Sequence, residues 1–511
     1  MQRWSYIAYV IVLVISVNGC IESHPLAGFD SIDIHIKNGM IYEGNGSEPY
    51  IGHLYINGDS IVHVSNDEVA HVNIIKELDA QGKCVAPGFI DLHAHGDPLS
   101  TPNFFNFLAM GVTTIVLGQD GSSPMVDPLS QWMKKVDSSG IGVNLAMMVG
   151  HGTLRRMSDI GIDPEPDEDN LDKMKKLLDD HLEYCFGLST GLEYTPGLYA
   201  SSEELIGLAQ ITGKHDRIIM SHMRNEDDDQ LESSIEELIS QGEHCKVHVA
   251  HLKSVYGKGQ ERAEEILDII HSARKRGIRI TADVYPYTAS YTGISILFPK
   301  WAKTKDQFDR ILWTRRLELE DYLRNRVNKR NGPSATLLGS EPFKGKTLAD
   351  LEEEMQQPFE KILIDEIGPG GSSGAYFVMN EALLSRLIMD DLVGVCSDGS
   401  PTGHHPRGHG TFAKIIEKYV VQDSILTLND AIHKMTGYAA SILDIKDRGT
   451  LQPGKKADVI IFSPDEIQAL ATYPDPYQLS EGFNDIIVNG NLVREAGQFS
   501  KALNGKVLYP N

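Results

Sequence analysis

The sequence predicts an α/β protein: a (β/α)8 TIM-like barrel, a small β-domain built from N- and C-terminal segments, and an insertion between the barrel's seventh and eighth strands. Three observations predict it. From residue 85 to about 400, eight short β-branched runs alternate with stretches whose apolar residues recur at helical spacing. Polar residues gather at the ends of those runs, where a barrel builds its active site. Hairpin-like alternation is confined to the two flanks.

The first residues, MQRWSYIAYVIVLVISVNGC, combine Arg3 with an apolar run from Tyr6 to Val17. That run is about 12 residues, short of the roughly 20 that span a bilayer, so residues 1–20 read as an export signal. Val17-Asn18-Gly19-Cys20 resembles the lipobox of bacterial lipoproteins, which implies cleavage before Cys20 and a lipid on its thiol. The alternative is a signal peptide that ends near a cysteine. Both readings export the mature protein, and the first anchors it by lipid, facing the periplasm or the cell exterior.

Residues 31–85 contain IDIHIKNGMIYEGNG and HLYINGDSIVHV, and residues 448–500 contain GTLQPGKKADVIIFSP and FNDIIVNGNLVREAG. These stretches alternate and break at Asn-Gly or Gly-Asp, as hairpins do. Neither flank is long enough for its own core, so the two are expected to pair into one β-domain.

The barrel, residues 86–447, has strand candidates CVAPGFIDLHAH, GVTTIVLGQD, GVNLAMMVGHG, CFGLSTGLEY, RIIMSHMRNE, KVHVAHLKS, IRITADVYPY and LVGVCSDGS. Amphipathic stretches such as NLDKMKKLLDDHLEY and QERAEEILDIIHSARKRG lie between them. His93, His95, Asp120, His222, His251, Tyr285 and Asp398 all fall at strand ends. Residues 298–390 separate the last two strands by far more than a usual βα connection; with the charged run LELEDYLRNRVNKR and the Gly/Ser-rich GPGGSSG, they read as an insertion and lid.

A net charge of -24 argues against a nucleic-acid groove or an anionic membrane surface as partner. Cys84, Cys185, Cys245 and Cys396 are far apart, with no CxxC, and read as buried small hydrophobes.

His93 and His95 stand two apart, so a strand aims both imidazoles at one spot, an arrangement that suits a divalent metal. The alternative is a pair of solvated turn histidines beside Gly96 and Pro98. A carboxylate such as Asp398, beside a metal-bound water, can accept its proton and return it to a departing amine; the alternative is an aspartate capping a turn before Gly399. Lys253, on the strand face of His251, and Arg407, in HHPRGHG, are cations suited to a substrate carboxylate. Tyr194 and Tyr285 offer hydroxyl donors. Arg224 and Glu226 are either functional or a structural ion pair supporting the strand end, and His151, His404, His405 and His409 stay unassigned.

PGFIDLHAH, GVTTIVLGQDGSS, GLEYTPG, SHMRNE, VAHLKS, DVYPYTAS, SDGS, HHPRGHGTFAK, KMTGYAASIL and DRGTLQPGKKADVIIF run nearly end to end. Together they resemble the N-acyl-D-amino-acid deacylases (D-aminoacylases) of the amidohydrolase superfamily. The resemblance implies zinc-dependent hydrolysis of the amide of an N-acyl-D-amino acid, with one or two ions held by His93, His95, His222 and His251 and with Asp398 as acid–base. The preference for D rests on the resemblance alone. In many D-aminoacylases the position of Asp120 is a metal-ligating cysteine in a GNCG-like context; here the strand end reads Gly118-Gln119-Asp120-Gly121. A carboxylate still bridges or ligates but shifts preference toward Mn or Co. The alternative is that Asp120 only caps the turn and the site is mononuclear. Two other functions compete: a related amidohydrolase acting on dipeptides or cyclic amides, and a non-catalytic ligand-binding surface lipoprotein. Dihydropyrimidinase-like cyclic amidases resemble one another in a carboxylated strand-four lysine, and CFGLSTGLEY has none.

Overall fold

The computed structural model describes Leu26 and residues 28–510. The expected export signal and lipobox, residues 1–20, therefore lie outside the described residues.

Eight parallel strands form the barrel in chain order: Phe89–Asp91, Val112–Leu117, Asn144–Gly150, Gly187–Gly191, Ile218–His222, Lys246–Val249, Ile280–Val284 and Val393–Val395. Each falls within one of the eight runs read from the sequence. The first and eighth strands meet just past their ends, where Ala94 and Gly399 form a parallel bridge. There Asp398 N donates to His93 O at 2.8 Å and His95 N to Gly399 O at 2.8 Å.

Side-chain period separates two layers. Val116, Ala146, Met148, Met220 and Cys396 pack together inside the barrel. Their neighbours Ile115, Leu117, Leu145, Met147, Val149, Ile219 and Val247 point outward into the core shared with the helices. Strands covered on both faces read as nearly continuous apolar runs, as VTTIVL and NLAMMVG do. The four cysteines of the described residues are free and buried.

The two flanks join in one nine-stranded sheet, where Val459–Phe462 pairs antiparallel with Cys84–Pro87. Tyr50–Asn57 and Ser60–Ser65 form a hairpin about Gly58-Asp59, and Phe483–Val488 and Asn491–Glu495 form one about Asn489-Gly490. Asn38-Gly39 behaves differently from the expected hairpin break. It lies inside the strand Ile32–Ile41 as a bulge, with the register shifting between Ile36 and Gly39. Asn38 takes φ 55°, and a Cβ on Gly39 would stand 2.4 Å from Val85 Cγ2, so the same dipeptide chemistry serves close approach rather than reversal. The chain beyond the sheet returns to the barrel, with Gly505 bridging Ile141 and Val507 bridging Leu145.

The insertion begins earlier and ends earlier than expected. Ser290–Gly293 already belongs to a three-stranded sheet with Thr336–Leu338 and Ser373–Tyr376, while Glu381–Met389 packs on the barrel helix Gly259–Lys275. Leu297, Phe298, Leu319, Leu323, Val327, Leu348 and Ile362 give the insertion its own core. The segment is thus a packed subdomain rather than a loop. Arg326 pairs with Asp227, Arg330 Nη1 lies 3.0 Å from Asp227 Oδ1, and Lys303 Nζ donates to Glu193 O at 3.2 Å, seating it on the barrel mouth.

Away from the mouth, Asp458 ties the C-terminal flank to the barrel. Its carboxylate pairs with buried Arg448 and accepts from Asn144 Nδ2 at 2.9 Å and Asn489 N at 2.8 Å. Asp458→Ala leaves the buried Arg448 with only the half-exposed Asp447 carboxylate, 3.4 Å from its Nε, so urea unfolding should show a loss of about 3 kcal/mol. Unchanged stability would mean that the network contributes nothing to domain docking.

Candidate metal centre

The six residues at the centre of the site, His93, His95, Asp120, His222, His251 and Asp398, all sit at or within four residues past a barrel strand end, and three of them carry unusual backbone. Asp120, His251 and Asp398 take φ of 53°, 38° and 48°. Non-glycine residues avoid this left-handed region, so each is held there by its surroundings at a cost of order 1 kcal/mol or more. One cause is close approach: Asp120 O lies where a Cβ on Gly191 would stand, 2.1 Å away, so the fourth strand must end in glycine. The turned backbone aims all three side chains at the barrel axis.

His93 Nε2 lies 3.3 Å from His95 Nε2 and 3.3 Å from Asp120 Oδ1. His95 Nε2 lies 3.2 Å from Asp398 Oδ1. On the other side of Asp120, His251 Nε2 is 3.2 Å from Oδ1, and His222 Nδ1 is 3.0 Å from His251 Nε2. Two donor groups result, His93/His95/Asp120/Asp398 and Asp120/His222/His251, each with its atoms within 4.8 Å of one another and with Asp120 common to both.

The donor chemistry fits divalent cations. Imidazole nitrogens brought within 3.0–3.3 Å of one another around ionised carboxylates can share a proton or turn together to a cation, and such N and O donors suit zinc, manganese or cobalt. Burial would raise the Asp398 carboxyl, but Arg407 and His251 hold it well below the usual carboxylate range. Burial likewise opposes ionisation of Asp120, and His93 and His251 overcome it. Desolvation disfavours a charge on His95, yet Asp120 and Asp398 lift it to about 9.

Outer carboxylates hold the far ring nitrogens, as metal-ligating histidines require. Glu193 Oε2 lies 3.3 Å from His222 Nε2, and Glu226 Oε1 lies 3.3 Å from His251 Nδ1. Asp91 accepts from Ser397 N at 2.8 Å and His93 N at 3.2 Å, and burial pushes its carboxyl up to about 7.

The centre opens onto a cavity of about 380 Å³ lined by His95, Asp120, Asp398, Tyr194, Tyr291, Arg156 and Arg407, among others. Tyr194 and Arg407 thus reach the cavity. Arg407 Nη1 also lies 2.6 Å from Asp398 Oδ2. Lys253 is not a free cation there: it is buried, with Nζ donating to Glu226 Oε1 at 2.6 Å and standing 2.7 Å from His251 Nδ1. Tyr285 is fully buried beneath Arg407, whose guanidinium lies 4.9 Å from its ring, and its hydroxyl faces Met379. Arg224 and Glu226 do not pair with each other. Arg224 Nε donates to Glu237 Oε2 at 2.9 Å, while Glu226 turns inward to Lys253.

Of the unassigned histidines, His151 bonds Glu204 at 2.7 Å, and His404 and His409 pack against Tyr477. His405 lines the cavity; it receives Arg407 N on Nδ1 at 3.0 Å, and burial drives its pKa well down. Sequence reasoning missed Glu193 and Tyr291. Glu193 was within reach, since it stands beside Tyr194 in GLEYTPG, whereas Tyr291 lies at the insertion's first strand and has no motif to mark it.

The Amidohydrolase family profile matches residues 151–494. An N-acyl-D-aspartate deacylase of Alcaligenes xylosoxydans xylosoxydans is 30% identical over 94% of this chain and 95% of its own. The chain belongs to the D-aminoacylase family of the amidohydrolases. Among solved structures, the N-acyl-D-glutamate deacylase of Bordetella bronchiseptica, complexed with zinc and a phosphonate inhibitor, matches with TM-score 0.82 at 27% identity, covering 94% of this chain and 100% of that one. A D-aminoacylase studied for its binuclear metal centre matches with TM-score 0.80 at 26% identity and the same coverage.

In this D-aminoacylase family member Asp120 is the carboxylate common to both donor groups. Asp120→Ala should weaken divalent-metal binding by more than the roughly 10–100-fold that loss of an outer partner costs, while Asp120→Cys retains zinc. Metal analysis of the dialysed proteins checks this, and full occupancy in Asp120→Ala would leave Asp120 without a ligand role.

Proposed function

We propose that this protein hydrolyses the amide bond of N-acyl-D-amino acids, releasing a carboxylate and a free D-amino acid, with zinc as its working metal and manganese or cobalt as substitutes. The observation that carries the reading is the convergence of His93, His95, His222, His251, Asp120 and Asp398 at one end of a substrate-sized cavity. The zinc-bound deacylase and the binuclear D-aminoacylase among the relatives support both metal and substrate class. A bound divalent ion supplies a water of lowered pKa and polarises the scissile carbonyl.

The chain's own residues supply the rest. Asp398 faces the centre through Oδ1, while Oδ2 is held by Arg407. It therefore stays ionised, ready to take a proton from the attacking water at Oδ1 and return it to the leaving nitrogen. Arg407 and Tyr194 line the cavity and orient the substrate carboxylate and carbonyl by charge and hydroxyl donation. Lys253, through its contacts with Glu226 and His251, positions a donor imidazole.

We also propose export and lipid attachment at Cys20, supported by the N-terminal apolar run and the lipobox-like Val17-Asn18-Gly19-Cys20. Among the described residues no helix is long and apolar enough to cross a membrane.

Amine release from paired N-acetyl-D- and N-acetyl-L-amino acids, with zinc added, tests the activity; turnover confined to L forms or absent from both would overturn it. Asp398→Asn should keep its metal and lose about 100- to 10,000-fold in kcat. Near-wild-type turnover would remove Asp398 from proton transfer.

A further inference from the structure

We propose that the cavity is built for substrates with two carboxylates and that Arg156 receives the second one. The inference rests on the deacylase reading and narrows its substrate class. An N-acyl-D-amino acid with a neutral side chain brings a single carboxylate, whereas the cavity has two arginines in its wall, Arg407 and Arg156.

The two arginines are in different states. Arg407 is buried and committed to Asp398 at 2.6 Å, beside the donor histidines. Arg156 is exposed, and its one hydrogen bond among the described residues runs from Nη2 to Thr195 O at 3.1 Å; no carboxylate of the described residues pairs with it. Its neighbour Arg155 shows what a structural arginine looks like here. That side chain is fully buried, pairs with Glu204, and donates to the carbonyl of Gly161 at 3.0 Å. One short helix, His151–Met157, thus spends one arginine on packing and points the next at the cavity.

Thr195 is itself part of the cavity wall, so its carbonyl pins one end of the Arg156 guanidinium there. Nη2 carries a second hydrogen, and with it either Nε–H or Nη1–H makes the fork that grips a carboxylate with two parallel hydrogen bonds. On a chain of net charge -24, an unneutralised guanidinium at the cavity is also a local point of attraction for an anion. The second carboxylate belongs either to the amino-acid side chain, as in N-acyl-D-aspartate or N-acyl-D-glutamate, or to a dicarboxylic acyl group, as in an N-succinyl amino acid.

The test compares metal-loaded wild type, Arg156→Met and Arg156→Lys on two matched pairs: N-acetyl-D-glutamate with N-acetyl-D-glutamine, and N-succinyl-D-alanine with N-butyryl-D-alanine. In Arg156→Met the acid-to-neutral ratio of kcat/KM should fall about 10- to 100-fold in at least one pair, through KM, with Arg156→Lys recovering part of it. The pair that responds tells side chain from acyl group. Unchanged ratios in both pairs overturn the proposal and leave the deacylase reading intact. If wild type cleaves none of the four, the deacylase reading fails instead, and calorimetric binding of the same pairs decides the inference: an acid preference abolished in Arg156→Met sustains it, and no preference ends it.

Discussion

The site depends on the closure of the barrel between its first and eighth strands. Asp398 N on His93 O and His95 N on Gly399 O join strand ends from opposite ends of the barrel sequence. Asp91 reinforces the seam by accepting the Ser397 amide. As a result His95 and Asp398, 303 residues apart in the chain, stand 3.2 Å apart. An open sheet would leave the HxH pair without the carboxylate that completes the first donor group.

Closure concentrates charge where water is scarce, and the surroundings answer it residue by residue. An unpaired buried carboxylate costs several kcal/mol, so each acid at the centre faces an imidazole or a guanidinium. Asp120 is ringed by His93, His95, His222 and His251, and Asp398 by His95 and Arg407. The balance extends outward through Glu193 and Glu226, which hold the other ring nitrogens of His222 and His251, and through Lys253, which neutralises Glu226. The left-handed backbone at Asp120, His251 and Asp398 belongs to the same design: it turns these three side chains to the centre, which His93, His95 and His222 reach without positive φ.

The insertion is part of this balance rather than a cover added to it. Asp227, just past the fifth strand, pairs with Arg326 and Arg330 of the insertion. Glu193 receives Lys303 on its carbonyl while its carboxylate faces His222. One residue thus couples the seating of the insertion to the orientation of a donor histidine, and Tyr291 carries the insertion's first strand into the cavity wall.

The sequence by itself determined the eight strands and the pairing of the flanks into one sheet, and it placed His93, His95, His222 and His251 at strand ends, because periodicity and strand-end position are local properties that survive in one dimension; their reading as metal donors came from the family resemblance. It also singled out Asp120 and Asp398 by their places after apolar runs. Only the tertiary structure decided what each side chain was free to do. Lys253 and Arg407 look alike as substrate cations in sequence, yet Lys253 is buried against Glu226 and His251, while Arg407 pairs with Asp398 in the wall of the cavity. Tyr285 reads as a site hydroxyl and becomes a buried ring beneath Arg407, while Arg224 finds Glu237 instead of its near neighbour Glu226. Asn38-Gly39 reads as a turn and is a bulge, because Val85 comes within reach of Gly39. In each case a partner distant in the chain competes for the same group, and the nearest charge or the tightest packing wins only once the chain has closed around it.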